Sequence, residues 1–256
     1  MTAIDPLQGF RLDGKVALVT GASAGLGDRF ARVLHTVGAT VVVTARRAER
    51  LAELAADLPG TIAIAADVGD AADRERLVTE ALDRAGRIDV LVNNAGIAYT
   101  VGIEQETLDE FEQAMNVNTT AVWHLTKLVV PHMIERGDGA IVNVASMLGH
   151  VGSAPIKQAN YCASKGAVVN MTRELALQLA RKGIRVNCLC PGYFPSEMTA
   201  PMLGDDASQR YIATYGGFPR MGEDHELDGA LLLLATDAGS YITGHSLLVD
   251  GGFTAR

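Results

Sequence analysis

The sequence predicts a doubly wound α/β fold, in which one mostly parallel sheet is covered by helices on both faces. Short apolar runs alternate with longer segments of helical periodicity along all 256 residues. The apolar runs do not alternate with polar residues, which is typical of strands buried on both faces of a parallel sheet. No low-complexity block, charge run or repeat divides the chain, so we expect residues 1–256 to form a single domain.

Seven apolar runs predict seven strands, because each is short and is bounded by polar residues or glycine. They lie at residues 16–20, 40–44, 62–65, 90–92, 141–144, 186–189 and 247–249. The first intervening segment keeps helical spacing from Leu26 to Val37, and Gly38 suits a C-terminal cap. Residues 47–58 carry leucines at helical intervals and predict the second helix.

Composition excludes several classes of partner. The chain has 22 Lys and Arg against 30 Asp and Glu, a net charge of −8, which disfavours nucleic acid and anionic membranes as partners. The longest apolar stretches are far shorter than the roughly 18 residues that cross a bilayer. The N-terminus has no secretion signal, so we expect a cytoplasmic protein. The three cysteines suit reduced core residues, and no His or Cys spacing indicates a metal site.

A glycine-rich turn follows the first strand. Residues 20–27 read Thr-Gly-Ala-Ser-Ala-Gly-Leu-Gly and open the first helix. Glycine lets the main chain approach a pyrophosphate, and a helix N-terminus offers free amides and a positive dipole. Such a turn also occurs for packing alone, so this segment favours nucleotide binding without requiring it.

Two arginines follow the second strand and favour NADP(H) over NAD(H). A carboxylate at this position would accept hydrogen bonds from ribose hydroxyls, whereas Arg46 and Arg47 are cations suited to a 2′-phosphate. Arg46 is the stronger candidate because it comes first after the strand. The alternative is that both arginines are solvated residues at the start of a helix.

These and later motifs together resemble the short-chain dehydrogenase/reductase family. The others are Asn-Asn-Ala-Gly at 93–96, Tyr-x-x-x-Lys at 161–165, Pro191-Gly192 and Asp-Gly-Gly at 250–252. In this order they are similar to the single-domain branch that includes 3-oxoacyl-carrier-protein reductases and alcohol and steroid dehydrogenases. The resemblance implies a Rossmann-type fold, a nicotinamide cofactor and reversible hydride transfer between the cofactor and a small ketone or alcohol.

The resemblance also assigns four catalytic residues: Asn118, Ser146, Tyr161 and Lys165. It implies that Tyr161 is the general acid and base, that Ser146 polarises the substrate oxygen and that Asn118 holds a water in a proton path. Lys165 follows Tyr161 by four residues, which places both on one helix face. A cation at ~4 Å and an effective dielectric of ~20 is worth about 4 kcal/mol, or roughly three pKa units. We therefore expect Lys165 to lower the pKa of Tyr161.

The cofactor residues follow from the same resemblance and from the glycine turn. They are Gly21, Ala22, Ser23, Ala24, Gly25, Leu26, Gly27, Arg46, Arg47, Asp67, Val68, Asn94, Ala95, Gly96, Tyr161, Lys165, Pro191, Gly192, Phe194 and Ser196. Two positions depart from the family pattern. Ser196 stands where threonine is frequent, and Ser146 lies 15 residues before Tyr161, slightly more than is usual. We expect the extra residues within 147–160 to border the substrate pocket.

Residues 193–221 are rich in Met, Tyr, Phe and Pro, which suits a lid over a substrate pocket or packing in the core. Four consecutive leucines at 231–234 cannot all face one side of a helix. We therefore expect a homotetramer with the C-terminal segment in an interface, although the chain itself could cover these leucines.

Two alternatives to a dehydrogenase remain. A catalytically silent NADP-binding sensor or scaffold would be expected to lack Tyr161, Lys165 or Ser146, and none is missing. A lyase or epimerase of the same fold could also use Tyr and Lys, but that branch usually carries a longer C-terminal region. The sequence does not identify the substrate.

Overall fold

A seven-stranded parallel sheet forms the centre of the computed structural model, which describes residues 5–255. The strands are β1 (Val16–Thr20), β2 (Thr40–Ala45), β3 (Ile62–Ala65), β4 (Val90–Asn93), β5 (Gly139–Val144), β6 (Ile184–Pro191) and β7 (Ser246–Val249). Each overlaps one of the seven predicted strands. The main differences are at the ends of β5 and β6, where main-chain pairing continues past the apolar run.

Helices connect the strands and cover both faces of the sheet. They are α1 (Gly25–Thr36), α2 (Ala48–Asp57), α3 (Ala71–Ala85), α4 (Leu108–Met115), α5 (Ala121–Arg136), α6 (Ala159–Leu179), α7 (Asp206–Tyr215) and α8 (Asp228–Ala235). Among residues 5–255 no helix is long and apolar enough to cross a membrane.

Strand β1 shows why the apolar runs do not alternate with polar residues. Ala17 and Val19 pack on one face against Phe30 and other residues of one buried cluster. Leu18, on the opposite face, packs in a second cluster with Leu125 and its neighbours. Both sides of the pleat therefore meet helices instead of water, as the sequence predicts.

The strand order β3-β2-β1-β4-β5-β6-β7 reverses between β1 and β4. In open α/β sheets such a reversal leaves a crevice at the carboxyl ends of the strands, where ligands bind. The glycine turn after β1 and the Asn94-Ala95-Gly96 segment after β4 both lie at this crevice.

A row of polar side chains crosses the sheet below the crevice. Asn93, Asn143 and Cys188 are register partners on β4, β5 and β6. Asn93 Nδ2 donates to Asn143 Oδ1 at 2.9 Å, and Asn143 Nδ2 donates to Thr172 Oγ1 of α6 at 2.9 Å. The Cys188 thiol completes the row with a 3.0 Å contact to Thr172 Oγ1. All four residues are buried.

Candidate active site

A cleft of about 950 Å³ lies at the carboxyl ends of the central strands. Of the residues that the sequence places in a site, these line it: Gly21, Ser23, Ala24, Gly25, Leu26, Gly27, Arg46, Arg47, Asp67, Val68, Asn94, Ala95, Gly96, Ser146, Tyr161, Lys165, Pro191, Gly192, Phe194 and Ser196. The fold thus brings together segments that are far apart between residues 21 and 199. Ala22 and Asn118 are the two assigned residues that are not part of the lining.

Close packing of the main chain shapes the glycine turn. A Cβ on Gly21 would lie 2.8 Å from Ala95 Cα, and one on Gly27 would lie 2.2 Å from the Gly21 carbonyl oxygen. The Thr20 hydroxyl accepts hydrogen bonds from the amides of Asn94 and Ala95 at 2.9 and 3.0 Å. The turn and the end of β4 are therefore held together, and no larger residue fits at these glycines.

The N-terminus of α1 faces the cleft without a side-chain cap. Its N-cap residue is Ala24, which cannot accept hydrogen bonds from the amides of the first turn. Uncapped amides at a helix start are the donors that bind phosphate groups. The glycine cradle and these amides fit the pyrophosphate of a dinucleotide.

Ala22 is the one cofactor-binding assignment in the glycine turn that the structure does not place at the cleft. Its side chain is fully buried in the core, and its amide donates to the Thr44 carbonyl at 3.1 Å. Ala22 shapes the turn from behind because its small side chain points toward the sheet.

Arg46 and Arg47 both line the cleft after β2 but differ in their contacts. Arg46 is exposed and makes no hydrogen bond or ion pair with residues 5–255. Arg47 donates to Ser23 Oγ and forms a two-pronged ion pair with Glu197, with N–O distances of 2.7 and 3.0 Å. Hydrogen bonding to Arg47 lowers the pKa of Glu197.

Asp67 and Val68 form the wall after β3. Asp67 Oδ1 accepts from the Gly69 amide at 2.8 Å, and the Asp67 amide donates to Asp73 Oδ2 at 2.8 Å. The Val68 carbonyl accepts from the guanidinium of Arg74, which is 4% exposed. This wall is thus fixed by hydrogen bonds to the start of α3.

Ser146, Tyr161 and Lys165 meet on the opposite wall. Ser146 follows β5, and Tyr161 and Lys165 lie one turn apart on α6. The Ser146 hydroxyl lies close to that of Tyr161 and lowers the pKa of the phenol through hydrogen bonding. Lys165 Nζ lies 5.5 Å from the centre of the Tyr161 ring and donates to the Val144 carbonyl at 2.8 Å. This is the arrangement that the sequence predicts.

The pKa of Tyr161 is raised in this arrangement, not lowered as expected. Burial raises the pKa of Tyr161 to about 12, because the phenolate loses hydration, and the bond to Ser146 lowers it only in part. Burial likewise lowers the pKa of Lys165 to about 8. Lys165 is 3% exposed, which explains why desolvation is the leading cause of its shift.

Asn118 lies behind Lys165 and is fully buried. It belongs to a π-helical turn, Asn116–Thr120, between α4 and α5. Its Oδ1 accepts from the Ile97 amide at 2.8 Å, and its Nδ2 donates to the Ile97 carbonyl and to Ser164 Oγ. Gly96, which lines the cleft, lies against it, since a Cβ there would lie 3.3 Å from Asn118 Oδ1 and 3.4 Å from Lys165 Nζ.

The residues after β6 form the roof of the cleft. Pro191 ends β6, and a Cβ on Gly192 would lie 2.7 Å from Asp250 Cα, so a glycine is required there. Phe194 is 5% exposed, and its carbonyl accepts from Thr199 Oγ1 at 2.6 Å. The Ser196 hydroxyl contacts the same Thr199 Oγ1 at 3.1 Å.

Part of the segment expected to form either a lid or core packing lies at the cleft, since Phe194, Ser196, Glu197, Met198 and Thr199 line it. No residue of 147–160 does, so the expectation that this segment borders the pocket is not met. Met147 and Leu148 are buried in the core instead.

Sequence reasoning missed several lining residues. Glu197 is the clearest, because its ion pair with Arg47 joins positions 150 residues apart and has no local signal. Tyr99 and Gln113 also line the cleft, joined by a 2.7 Å hydrogen bond from the phenol to Gln113 Oε1. The only local signals are that Tyr99 follows the 93–96 motif by three residues and that Gln113 precedes Asn118 by five.

The fold and the cleft define a dinucleotide-binding oxidoreductase with a tyrosine and a lysine at its reacting end. The family profile for short chain dehydrogenase matches residues 15–206. Among curated proteins, gluconate 5-dehydrogenase of Gluconobacter oxydans is 38% identical over 253 residues, covering 96% of each chain. The 3-oxoacyl-(acyl-carrier-protein) reductase of Thermotoga maritima is 36% identical over 246 residues, 94% of this chain and 98% of that protein.

Solved structures of short-chain dehydrogenases also match this fold. A gluconate 5-dehydrogenase from Burkholderia cenocepacia in complex with NADP and tartrate has a TM-score of 0.92 at 37% identity, over 98% of this chain and 100% of that one. A short-chain type dehydrogenase/reductase from Mycobacterium marinum has a TM-score of 0.93 at 35% identity with the same coverage. The chain belongs to the short-chain dehydrogenase/reductase family. It is an NAD(P)-dependent oxidoreductase acting on CH–OH and C=O groups.

Proposed function

We propose that this cleft interconverts a small ketone and its secondary alcohol with NADP(H), using Tyr161 as the proton donor and acceptor. The observation that carries the proposal is the meeting of Ser146, Tyr161 and Lys165 on one wall of a cleft that opens at the glycine turn. The bound nicotinamide supplies or accepts the hydride.

Each catalytic residue has a separate role in carbonyl reduction. The Tyr161 hydroxyl gives its proton to the carbonyl oxygen as that oxygen gains charge, and Ser146 donates a hydrogen bond to the same oxygen. Protonated Lys165, held by the Val144 carbonyl, favours the phenolate that results. In alcohol oxidation the phenolate accepts the hydroxyl proton. Asn118 holds the Ile97 main chain and Ser164 behind Lys165, where we place a water-mediated proton path.

In this proposal, different groups of residues contact different parts of the cofactor. Gly21 and residues 23–27 hold the pyrophosphate, and Asp67 and Val68 contact the adenine. Residues 94–96 contact the adenosine and its ribose, and Pro191, Gly192, Phe194 and Ser196 contact the nicotinamide with Tyr161 and Lys165. Ala22 contributes only by shaping the turn.

NADP(H) is preferred over NAD(H) in this proposal because Arg46 offers an unpaired cation at the cleft, with Arg47 beside it. A guanidinium forms strong charge-assisted hydrogen bonds with a phosphate. Titration of the protein with NADPH and NADH, followed by nicotinamide fluorescence, tests the preference. Equal dissociation constants would contradict it.

The substrate is a small carbonyl or hydroxyl compound. The names of similar proteins cover sugar acids, a polyol (galactitol 2-dehydrogenase of Cereibacter sphaeroides) and acyl-carrier thioesters. A panel of ketones and alcohols from these classes, followed by nicotinamide absorbance with both cofactors, tests the activity. Turnover of no member with either cofactor would contradict the reaction that we propose.

We also propose that the protein is a cytoplasmic single-domain homotetramer. The leucines at 231–234 do not carry this proposal as expected, because Leu231 and Leu234 are buried and the other two are partly buried within one chain. The proposal rests on the family resemblance, and exposed Trp123, Leu177 and Tyr241, at 46, 78 and 103% exposure, are side chains that a partner chain would cover. Light scattering tests it: a mass near the 27.0 kDa of one chain would reject the tetramer.

A further inference from the structure

The guanidinium of Arg47 joins two walls of the cleft. Its Nε and Nη2 atoms donate to Ser23 Oγ in the glycine turn at 3.1 and 2.9 Å. Its Nη1 and Nη2 atoms donate to Glu197 Oε1 and Oε2 at 2.7 and 3.0 Å. Since Glu197 follows β6 and Arg47 follows β2, this contact ties the roof of the cleft to its nucleotide-binding end.

The Glu197 carboxylate takes up the face of Arg47 that a phosphate would use. A guanidinium presents its parallel N–H groups to carboxylates and phosphates in the same two-pronged geometry. The other edge of the guanidinium, formed by Nε and Nη2, is already bonded to Ser23 Oγ, so no edge of Arg47 is left free for a phosphate. Arg46 beside it has no partner among residues 5–255, so the two arginines are not equally free to bind a phosphate.

We propose that Glu197 is a specificity-determining residue that competes with the 2′-phosphate of NADP for Arg47 and so limits the preference for NADP over NAD. The inference rests on the proposed function in placing that phosphate beside Arg46 and Arg47. NAD has no 2′-phosphate and leaves the Arg47–Glu197 pair intact. Glu197 therefore weakens the binding of only one of the two cofactors.

Exposure of the pair limits the size of the effect. The side chains of Arg47 and Glu197 are 43 and 63% exposed, so water screens both the ion pair and the repulsion between Glu197 and a phosphate. Arg50 also attracts the Glu197 carboxylate, which further lowers the pKa of that carboxyl. The expected change in affinity is therefore a few-fold.

The test uses Glu197→Gln, which keeps the shape of the side chain and removes its charge. Adenosine 2′,5′-bisphosphate and 5′-AMP are the probes, since they differ by the 2′-phosphate and calorimetry measures their binding without turnover. We expect the variant to bind the bisphosphate about 2- to 5-fold more tightly and 5′-AMP as before. An unchanged or lower ratio of the two affinities would overturn the proposal, because Glu197 would then be neutral or would position Arg47 for the phosphate.

Two further variants separate competition from a general charge effect. Glu53→Gln makes the same change in charge at an exposed position of α2 and should leave both affinities unchanged. In an Arg47→Gln background, adding Glu197→Gln should no longer raise the ratio of affinities. A ratio that still rises there would show that Glu197 acts without Arg47 and would contradict the competition.

The wild-type measurement tests the proposed NADP preference separately from the role of Glu197. If the wild-type protein binds the bisphosphate no better than 5′-AMP, the proposed NADP preference fails. A rise of the ratio in Glu197→Gln would even then support the competition, and a constant ratio would contradict it.

Discussion

Main-chain packing forms one end of the cleft, whereas buried side chains form the other. At the glycine-turn end (residues 20–27, Arg46 and Arg47), missing Cβ atoms let main-chain segments pack closely, and the charged groups are exposed. At the tyrosine end (Asn118, Ser146, Tyr161 and Lys165), desolvation shifts the pKa values of Tyr161 and Lys165. Substitutions at the glycine-turn end should therefore change cofactor binding, and those at the tyrosine end should change kcat.

The largest expected effect is at the tyrosine end. Tyr161→Phe removes the proton donor but keeps the ring, so we expect kcat to fall by about 10²- to 10⁴-fold with an unchanged Kd for the cofactor. Steady-state kinetics and a cofactor titration measure both quantities. Tyr215→Phe, the same change at a half-exposed lid tyrosine, is the control. A Tyr161→Phe enzyme that keeps more than about a tenth of kcat would refute the assigned role.

Lys165 should make stability depend on pH. Its pKa is lowered from an ordinary 10.5 to about 8, so between these values the unfolded chain binds a proton that the folded chain has released. Stability from this group is therefore lowest below pH 8 and rises with pH through the window, by up to roughly 3 kcal/mol. Urea unfolding at about pH 7 and about pH 9.5 should show this rise in the wild-type protein but not in Lys165→Met.

The exposed Lys127 provides the matched control for this experiment. Lys127→Met should show the same dependence of stability on pH as the wild-type protein. If Lys165→Met also kept the wild-type dependence, Lys165 would not be the titrating group.

At the glycine-turn end, Gly27→Ala should affect stability and binding together. The new Cβ would lie 2.2 Å from the Gly21 carbonyl oxygen and 2.6 Å from Asn94 Nδ2, so the turn must move. We expect a loss of about 1–3 kcal/mol in the free energy of unfolding, with weaker cofactor binding. Gly152→Ala is the control, since nothing lies within 4 Å of its added Cβ. Wild-type Tm and cofactor Kd in Gly27→Ala would show that the turn is not tightly packed.

A smaller effect is expected for Arg46→Gln, because this side chain is exposed. We expect the Kd for NADP to rise about tenfold through loss of a charge-assisted hydrogen bond, while the Kd for NAD is unchanged. Fluorescence titration with both reduced cofactors checks the ratio. An equal loss for both would mean that Arg46 stabilises the turn and not the phosphate contact.

The sequence predicts the parts of the molecule that depend on local pattern. The strands, the glycine turn and the Tyr161–Lys165 spacing are all short-range signals, and the structure confirms each of them. The structure departs from expectation where the outcome depends on burial. Ala22 points into the core, and burial sets the pKa of Tyr161 despite a lysine one turn away.

Contacts between residues far apart in the chain are the other feature that the sequence does not predict. The Arg47–Glu197 contact depends on how the roof of the cleft meets β2, which no residue pattern near either position indicates. The leucines at 231–234 show the same limit, because the packing of α8 against the rest of the chain decides their exposure.

The polar row of Asn93, Asn143 and Cys188 fixes the register of the strands that carry the tyrosine end. A slip of β5 by one residue would place a valine opposite Asn93 and leave buried amide groups without partners, at about 1–3 kcal/mol for each. Because Thr172 of α6 is bonded to the same row, the row also fixes the position of that helix against the strands. The distance from Ser146 to Tyr161 and Lys165 therefore depends on hydrogen bonds between buried residues that do not line the cleft.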